Sequence, residues 1–203
     1  MAISEAEKLS VAEFFEAIAG RDGRYELVRG IAYAMAGAKE AHNVICSNVV
    51  TALVPAGKLK GCRTTSSDTA LQTGPDTVRY PDVVVDCGPP DPAALTASRP
   101  VIVVEVSSAG TAVFDYGAKL REYQRVASVD TVLQIESDLA LVTVHRRQLD
   151  GAWTEETFEA FDQEIHLPSL DVSITLGEIY DTLEVRPRPR LQAVKGSNTD
   201  APR

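Results

Sequence analysis

The sequence predicts an α/β fold in which a mixed central β-sheet is flanked by helices. Residues 80–87 and 101–107 are valine-rich and almost continuously apolar, which is typical of strands buried on both faces. Two further segments, beginning near Lys39 and Asp115, repeat apolar residues at helical spacing. The composition, 44% hydrophobic and 24% charged, is that of an ordinary globular domain.

The N-terminal elements are predicted from local signals. Ser10 and Glu13 stand at the spacing of a capping box, which predicts a helix through residue 19 that Gly20 ends. Residues 24–35 form two strand-like runs on either side of Arg29-Gly30, the pattern of a hairpin with a tight turn.

The next helix is predicted from residue 39 to about residue 54, where Pro55 and Gly57 are expected to end it. The remaining elements follow from shorter apolar runs and turn residues. We expect further strands at residues 62–65, 69–72, 131–135, 141–146 and 153–158, and helices at residues 115–126 and 175–183. The strands at 131–135 and 141–146 are expected to be antiparallel.

The chain is predicted to form one domain over residues 1–184, followed by a flexible basic tail over residues 185–203. Alternating Pro and Arg at residues 186–190 prevent a helix there. The net charge is −9 and the tail carries +4, so the remaining residues carry −13. This distribution argues against a protein that coats nucleic acid through bulk charge, but it permits a local DNA groove.

The chain is expected to be cytoplasmic and to have no contact with a membrane. It begins without a basic segment followed by an apolar one, so we expect no signal peptide. No apolar run approaches the roughly 18 residues that a membrane span needs. Cys46, Cys62 and Cys87 are odd in number and show no CxxC spacing, which predicts reduced thiols.

Acidic residues interrupt the strands that should be apolar. Asp82 and Glu105 lie within the two valine-rich segments, and Glu26 lies in the first strand of the hairpin. A buried, unpaired carboxylate costs several kcal/mol, so these side chains require a cationic partner. Mg²⁺ or Mn²⁺ is the natural partner, because these ions prefer oxygen ligands and relieve the repulsion between clustered carboxylates.

Five short motifs occur in a recognisable order. They are YELVRG (25–30), AHNVI (41–45), YPDVVV (80–85), VIVVEVSS (101–108) and DYGAKLREYQ (115–124). Over roughly residues 12–180 this set resembles the Uma-type family of restriction-endonuclease-like proteins, within the PD-(D/E)xK nuclease superfamily.

The resemblance implies a restriction-endonuclease-like core with Glu26, Asp82 and Glu105 as metal ligands. The implied activity is that of a Mg²⁺-dependent endonuclease, in which a metal-activated water hydrolyses a phosphodiester bond of DNA. Ser107 departs from the pattern, because the superfamily normally has a lysine two residues after the Glu. Lys119 in the following helix is the expected substitute.

Other residues of the matched motifs are candidates for supporting roles. Asp115 and Tyr123 lie four residues before and after Lys119, on the same helix face. His42 lies in the first long helix and is a candidate contact for substrate or water. Since cutting both DNA strands takes two sites, a homodimer is also expected.

Two alternatives stay open. In the first, the chain is a non-catalytic binding module that keeps the nuclease fold, as the missing strand lysine suggests. In the second, it is an interaction or dimerisation domain whose buried acids pair with arginines such as Arg63 or Arg79.

Overall fold

The computed structural model describes residues 8–107 and 113–187, and the side chains of all of these except residues 113–116. The helices in this part of the chain are α1 (Val11–Ile18), α2 (Glu40–Leu59), α3 (Val113–Arg125) and α4 (Leu176–Ile179). The strands are β1 (Tyr25–Val28), β2 (Ile31–Ala34), β3 (Arg63–Ser66), β4 (Leu71–Gly74), β5 (Thr77–Arg79), β6 (Val83–Asp86), β7 (Pro100–Ser107), β8 (Thr131–Glu136), β9 (Leu139–Ala140), β10 (Val142–Arg147), β11 (Trp153–Phe158), β12 (Glu164–Leu167), β13 (Val172–Thr175) and β14 (Arg186–Pro187).

A six-stranded sheet forms the centre of the molecule, with strand order β11-β10-β8-β7-β6-β3. It is mixed, because β7 and β8 are parallel while the other neighbours are antiparallel. Helix α3 lies in the crossover between β7 and β8. A second sheet of order β2-β1-β5-β4 is antiparallel throughout. The predicted α/β class with a mixed central sheet is confirmed.

Helices cover both faces of the central strands, which explains why their sequences are continuously apolar. In β7, Ile102 and Val104 belong to the core cluster that includes Val49 of α2. Val103 points to the opposite side and packs with Tyr123 of α3. Each valine of this strand is therefore buried against one helix layer or the other.

The local predictions for α1 and the hairpin are confirmed. The Ser10 backbone N–H donates to Glu13 Oε2 over 2.7 Å, and the Glu13 N–H donates to Ser10 Oγ over 3.3 Å. At the turn, Arg29 has a φ of 51° and Gly30 a φ of 83°. Two consecutive positive φ angles give the type of turn whose twist matches a two-residue hairpin.

Two helix ends differ from the sequence prediction. Helix α2 continues through Pro55 and Gly57 to Leu59, although we expected both residues to end it. Gly57 is buried where a Cβ would lie 3.2 Å from Thr64 Oγ1, so the glycine lets the end of α2 approach β3 closely. Helix α4 is shorter than predicted, with Thr175 as its capping residue rather than its first turn.

Several short elements lie outside the sequence prediction. Strand β5 joins the hairpin to β4, β12 pairs with β13, and β14 pairs in parallel with β9. Each has only two to four residues, too few to show a period. Strand β14 and Val185, which packs against the core, fall within the predicted basic tail. Residues 188–203, the rest of that tail, lie outside the described residues.

The prediction of three reduced thiols is wrong in this structure. Cys62 and Cys87 form a disulfide, and Cys46 is free and buried. The reason is the antiparallel register of β3 and β6, which pairs Arg63 with Asp86. Cys62 precedes Arg63 and Cys87 follows Asp86, so the two cysteines lie opposite each other. Because the two cysteines are 25 residues apart along the chain, their contact could not be predicted from the sequence.

None of the helices in the described part of the chain combines the length and apolarity needed to cross a bilayer.

Candidate active site

A cleft of about 890 Å³ opens between the two sheets, α3 and the start of α2. Its lining includes six of the residues singled out from the sequence, Glu26, His42, Asp82, Glu105, Ser107 and Lys119. They come from β1, α2, the residue before β6, β7 and α3. The fold therefore gathers side chains that are far apart along the chain.

Asp82, the residue before β6, lies next to Glu105 of β7, because Val83 pairs with Val104 in the register of β6 and β7. Both are only 8% exposed. Asp82 Oδ2 accepts a hydrogen bond of 2.7 Å from the Val106 backbone N–H, which fixes its carboxylate across β7. The two acids thus stand side by side in the cleft.

His42 faces Asp82 from the first turn of α2. Its Nε2 lies 3.0 Å from Asp82 Oδ1, and its Nδ1 lies 3.7 Å from Cys46 Sγ. The hydrogen bond to Asp82 is the largest cause that raises the pKa of His42 to about 10, followed by the contact with Cys46. His42 is therefore an imidazolium at neutral pH, and it is a direct partner of a candidate metal ligand.

Glu105 is held by two groups of α3. The Tyr123 hydroxyl donates a hydrogen bond to Glu105 Oε1, and Lys119 Nζ lies 3.9 Å from Glu105 Oε2. Burial raises the pKa of Glu105 to about 7, which the positive charge of Lys119 partly opposes and the negative charge of Asp82 reinforces. Burial also raises the pKa of Tyr123, so the phenol stays a hydrogen-bond donor.

Each carboxylate oxygen of Glu26 accepts a hydrogen bond from a cationic side chain of the protein. Its Oε1 accepts from Lys119 Nζ over 2.9 Å and its Oε2 from Arg79 Nη1 over 2.8 Å. The Lys119 ammonium thus bridges Glu26 and Glu105. A positive charge already occupies the space between these two carboxylates.

Arg79 and Glu122 complete this network, and our metal hypothesis gave them no role. The guanidinium of Arg79 binds Glu122 through Nε at 2.7 Å and Nη2 at 3.0 Å, on the opposite side from Glu26. Burial acts to lower the pKa of Arg79, but the two carboxylates prevail and raise it. The sequence offers one indication that Glu122 belongs to the site, because it lies three residues after Lys119 on the same face of the helix.

The two arginines of the interaction-domain hypothesis do pair with buried acids. Arg79 pairs with Glu26, and Arg63 pairs with Asp86 at 2.8 Å. Burial acts to raise the pKa of Asp86, but three backbone N–H groups and Arg63 lower it. Among the described residues, the ion pairs of these two arginines do not include Asp82 or Glu105.

Ser107 lines the cleft, but its hydroxyl donates to Glu136 Oε1 at 3.5 Å and not to the acidic cluster. The proposed role of Asp115 falls on a side chain outside the described residues.

Within residues 8–107 and 117–187, His42, Cys46 and Asp82 offer one ligand atom each within 4.8 Å of one another. Glu26 and Glu105 are not part of this close group. Lys119 instead contacts both of them. The geometry brings the three predicted carboxylates into one cleft, with chain cations between them.

The comparisons with known proteins agree with this fold. The sequence profile of the Uma2 family, described as "Putative restriction endonuclease", matches residues 11–177. The chain belongs to the Uma2 family.

A relative of this Uma2 chain is "Uncharacterized protein slr1290" from Synechocystis sp. It is 29% identical over 176 residues, which are 85% of this chain and 92% of the relative. A solved structure from Anabaena variabilis, titled a putative nuclease belonging to DUF820, is similar in fold with a TM-score of 0.67. Its identity is 17%, and the match covers 85% of this chain and 97% of that one. The predicted family and restriction-endonuclease-like fold are thus confirmed.

Proposed function

We propose that this Uma2-family protein is a Mg²⁺- or Mn²⁺-dependent endonuclease that hydrolyses phosphodiester bonds of DNA. The observation that carries the proposal is the pair of acids Asp82 and Glu105, side by side in a cleft with the Lys119 ammonium 3.9 Å from Glu105. The nuclease-like description of the family supports the same conclusion.

The donor set fits a hard divalent cation. Asp82 and Glu105 supply carboxylate oxygens, which Mg²⁺ and Mn²⁺ prefer, and Glu26 is the third candidate ligand. Burial raises the pKa of Glu105 although the charge of Lys119 acts to lower it, so a divalent ion beside this carboxylate would further favour its charged form. A bound metal ion would supply a Lewis acid that makes a coordinated water nucleophilic at neutral pH.

The other residues orient the acids and complement the charge of the substrate. Tyr123 fixes one oxygen of Glu105, and the Val106 N–H fixes one oxygen of Asp82. Lys119 would stabilise the negative charge that develops on a phosphodiester during in-line attack. His42 donates to the remaining oxygen of Asp82 and would have to give it up to a metal ion.

A cleavage assay tests the proposal. Purified protein is incubated with supercoiled plasmid and with labelled oligonucleotides, in EDTA, Mg²⁺ or Mn²⁺. We expect nicking only with metal, and at least a 100-fold loss in Asp82→Asn, Glu105→Gln and Lys119→Met, on the order of the effect of removing one group that stabilises a transition state. Asp162→Asn, an exposed acid far along the chain, is the matched control. Activity that survives in Asp82→Asn would contradict the proposal.

A second candidate is a catalytically silent module that keeps the nuclease fold and binds or dimerises. Two observations favour it: Ser107 replaces the strand lysine, and Glu26 is already neutralised by Arg79 and Lys119. It predicts DNA binding without cleavage in either metal. Cleavage in Mg²⁺ or Mn²⁺ separates the two candidates, and a thermal shift with Mn²⁺ that Glu105→Gln abolishes would show metal binding in either case.

The homodimer and the cytoplasmic location expected from the sequence belong to the same proposal. Light scattering of the purified protein tests the first. Fractionation of cells that express the natural protein tests the second.

A further inference from the structure

One face of the β1–β2 hairpin continues the wall of the cleft beyond the acids. Glu26 pairs directly with Tyr33, and Val28 with Ile31, so these four side chains share a face of the sheet. The opposite face carries Leu27, which is buried against Phe14 of α1. We call Val28, Ile31, Tyr33 and Met35, all of which line the cleft, the hairpin strip.

The hairpin strip exposes an aromatic ring beside the candidate active site. Tyr33 is 53% exposed although its cross-strand partner Glu26 is buried. Directly opposed side chains on antiparallel strands have Cβ atoms about 5 Å apart. An exposed tyrosine thus stands one strand away from a candidate metal ligand.

Cations lie at both ends of the hairpin strip. Arg29 occupies the hairpin turn, Lys39 precedes α2, and both are exposed and line the cleft. The salt bridges of residues 8–107 and 117–187 involve neither side chain. Since the protein carries a net charge of −9, these local cations are well suited to hold a polyanion against a repulsive body.

The size of the cleft indicates whether single-stranded or duplex DNA can enter it. Asp82 and Glu105 are 8% exposed, so a phosphodiester must enter the cleft to reach them. A volume of about 890 Å³ is that of a small-molecule pocket and accommodates one or two nucleotides. This volume is too small for both strands of a duplex, so a phosphodiester of supercoiled DNA would reach the acids where the two strands separate locally.

From these observations we infer that the hairpin strip docks single-stranded DNA, with a base stacked on Tyr33 and phosphates contacted by Arg29 and Lys39. Aromatic rings on a sheet face with flanking cations are the general means of holding an unpaired strand, because every base presents a stacking face. The inference deepens the proposed function by naming unpaired DNA as the form that enters the same cleft.

Fluorescence anisotropy in EDTA measures this binding without hydrolysis. The probe is a labelled oligothymidylate strand, alone or annealed to oligoadenylate. We expect the single strand to bind at least 10-fold more tightly than the duplex. Tyr33→Ala should weaken single-strand binding by about 5-fold or more, the range of one lost base stack, whereas Tyr33→Phe should retain it. Equal affinity for both probes, or no effect of Tyr33→Ala, would overturn the inference.

The salt dependence provides a second, independent readout. The Arg29→Ala/Lys39→Ala double variant should reduce the slope of log affinity against log salt concentration by about 1.4, about 0.7 for each lost contact with a single strand. Lys58→Ala is the matched control, because this exposed lysine lies at the far end of the same helix that Lys39 precedes. An unchanged slope in the double variant would contradict the phosphate contacts.

These measurements distinguish the inference from the proposed function. Binding that depends on Tyr33, together with no cleavage in Mg²⁺ or Mn²⁺, would uphold the inference and overturn the nuclease. Cleavage that is unaffected by Tyr33→Ala would do the reverse. A dimer that Tyr33→Ala dissociates, detected by light scattering, would show that a second copy covers the strip and would overturn the docking of DNA.

Discussion

Lys119 is the residue on which the electrostatics of the cleft depend. Its ammonium lies 2.9 Å from Glu26 and 3.9 Å from Glu105. The lysine therefore already neutralises part of the negative charge that a metal ion would otherwise have to neutralise alone. Arg79 does the same for Glu26 and Glu122 on the inner side. Glu26, which we expected to bind a metal, is thus also the acid that links β1 to β5 and α3.

Replacing Arg79 by Met should destabilise the protein strongly. The change leaves Glu26 and Glu122 without a buried guanidinium, and breaking one side of a buried ion pair costs about 3–5 kcal/mol. Urea denaturation measures the free energy of unfolding. Lys60→Met, which removes the exposed pair with Asp171, is the control and should cost less than about 1 kcal/mol. Similar losses in both variants would show that the buried network adds no stability.

Stability should fall with rising pH because of Glu105. Burial raises its pKa to about 7 from the ordinary value of 4.5. The folded protein therefore retains this proton where the unfolded chain loses it. The resulting stabilisation is fully present below about pH 4.5 and is lost as the pH rises through about 7.

Urea titrations in EDTA between about pH 4.5 and pH 8 check this dependence, and Glu105→Gln should flatten it. The pKa of His42, raised from 6.5 to about 10, acts in the same direction only above about pH 6.5. Burial also raises the pKa of Glu136, so the difference between the wild type and Glu105→Gln, and not the pH range alone, reports Glu105. An identical pH dependence in Glu105→Gln would contradict the assignment.

Among the elements, α3 contributes most to the site. Lys119, Glu122 and Tyr123 lie at the i, i+3 and i+4 positions of one helix face and bind Glu26, Arg79 and Glu105 respectively. The amphipathic period predicts such a face from the sequence. It does not reveal the partners, because Arg79 and Glu122 are 43 residues apart, and Arg79 and Glu26 are 53 apart.

Elements that depend on neighbouring residues could be predicted from the sequence, whereas elements that depend on contacts between distant segments could not. The capping box of α1 and the Arg29-Gly30 turn depend on neighbours a few residues away, and the valine strands depend on their own composition. Strand β5, the continuation of α2 through Pro55 and the Cys62–Cys87 pair depend on packing between distant segments. Likewise, the acids of the site could be found as anomalies within apolar strands, whereas the cations that pair with them could not.

The disulfide should stabilise the junction of β3 and β6. It closes a loop with a sequence separation of 25 residues, for which loss of the link costs about 3 kcal/mol in the chain-entropy account. Thermal unfolding with and without dithiothreitol measures the effect, which Cys62→Ala should abolish. Cys46→Ala, at the free buried cysteine, should keep the sensitivity to the reductant. A wild-type melting temperature that dithiothreitol does not change would contradict the prediction.

For the whole molecule, the main core is continuous from α2 through the central sheet to the β12–β13 hairpin and α4. Val185 packs against this core, and Arg186–Pro187 pairs with β9. The last contacts of the described chain with the domain thus lie just beyond the boundary at residue 184 that the sequence suggested.

Two truncations locate the end of the domain. Because the sequence predicts a flexible tail here, removing residues 188–203 should change the free energy of unfolding by less than about 0.5 kcal/mol. Removing residues 185–203 should cost about 1–2 kcal/mol more, because the buried part of Val185 is lost. Urea denaturation of both proteins checks this difference. Equal stability of the two would place the boundary at residue 184 after all.

Because β7 and β8 pair in parallel through α3, the segment from Pro100 to Glu136 forms one continuous β-α-β unit. We call this segment the cassette, since it could be exchanged between related proteins as a single piece. It contains Glu105, Lys119, Glu122 and Tyr123, and its two strands are neighbours at the middle of the sheet. A chimaera that exchanges this cassette with that of another Uma2 protein would transplant half of the cleft in a single step. Glu26, Arg79 and Asp82 would come from the recipient, so the activity of such hybrids would report whether the two halves have to be matched.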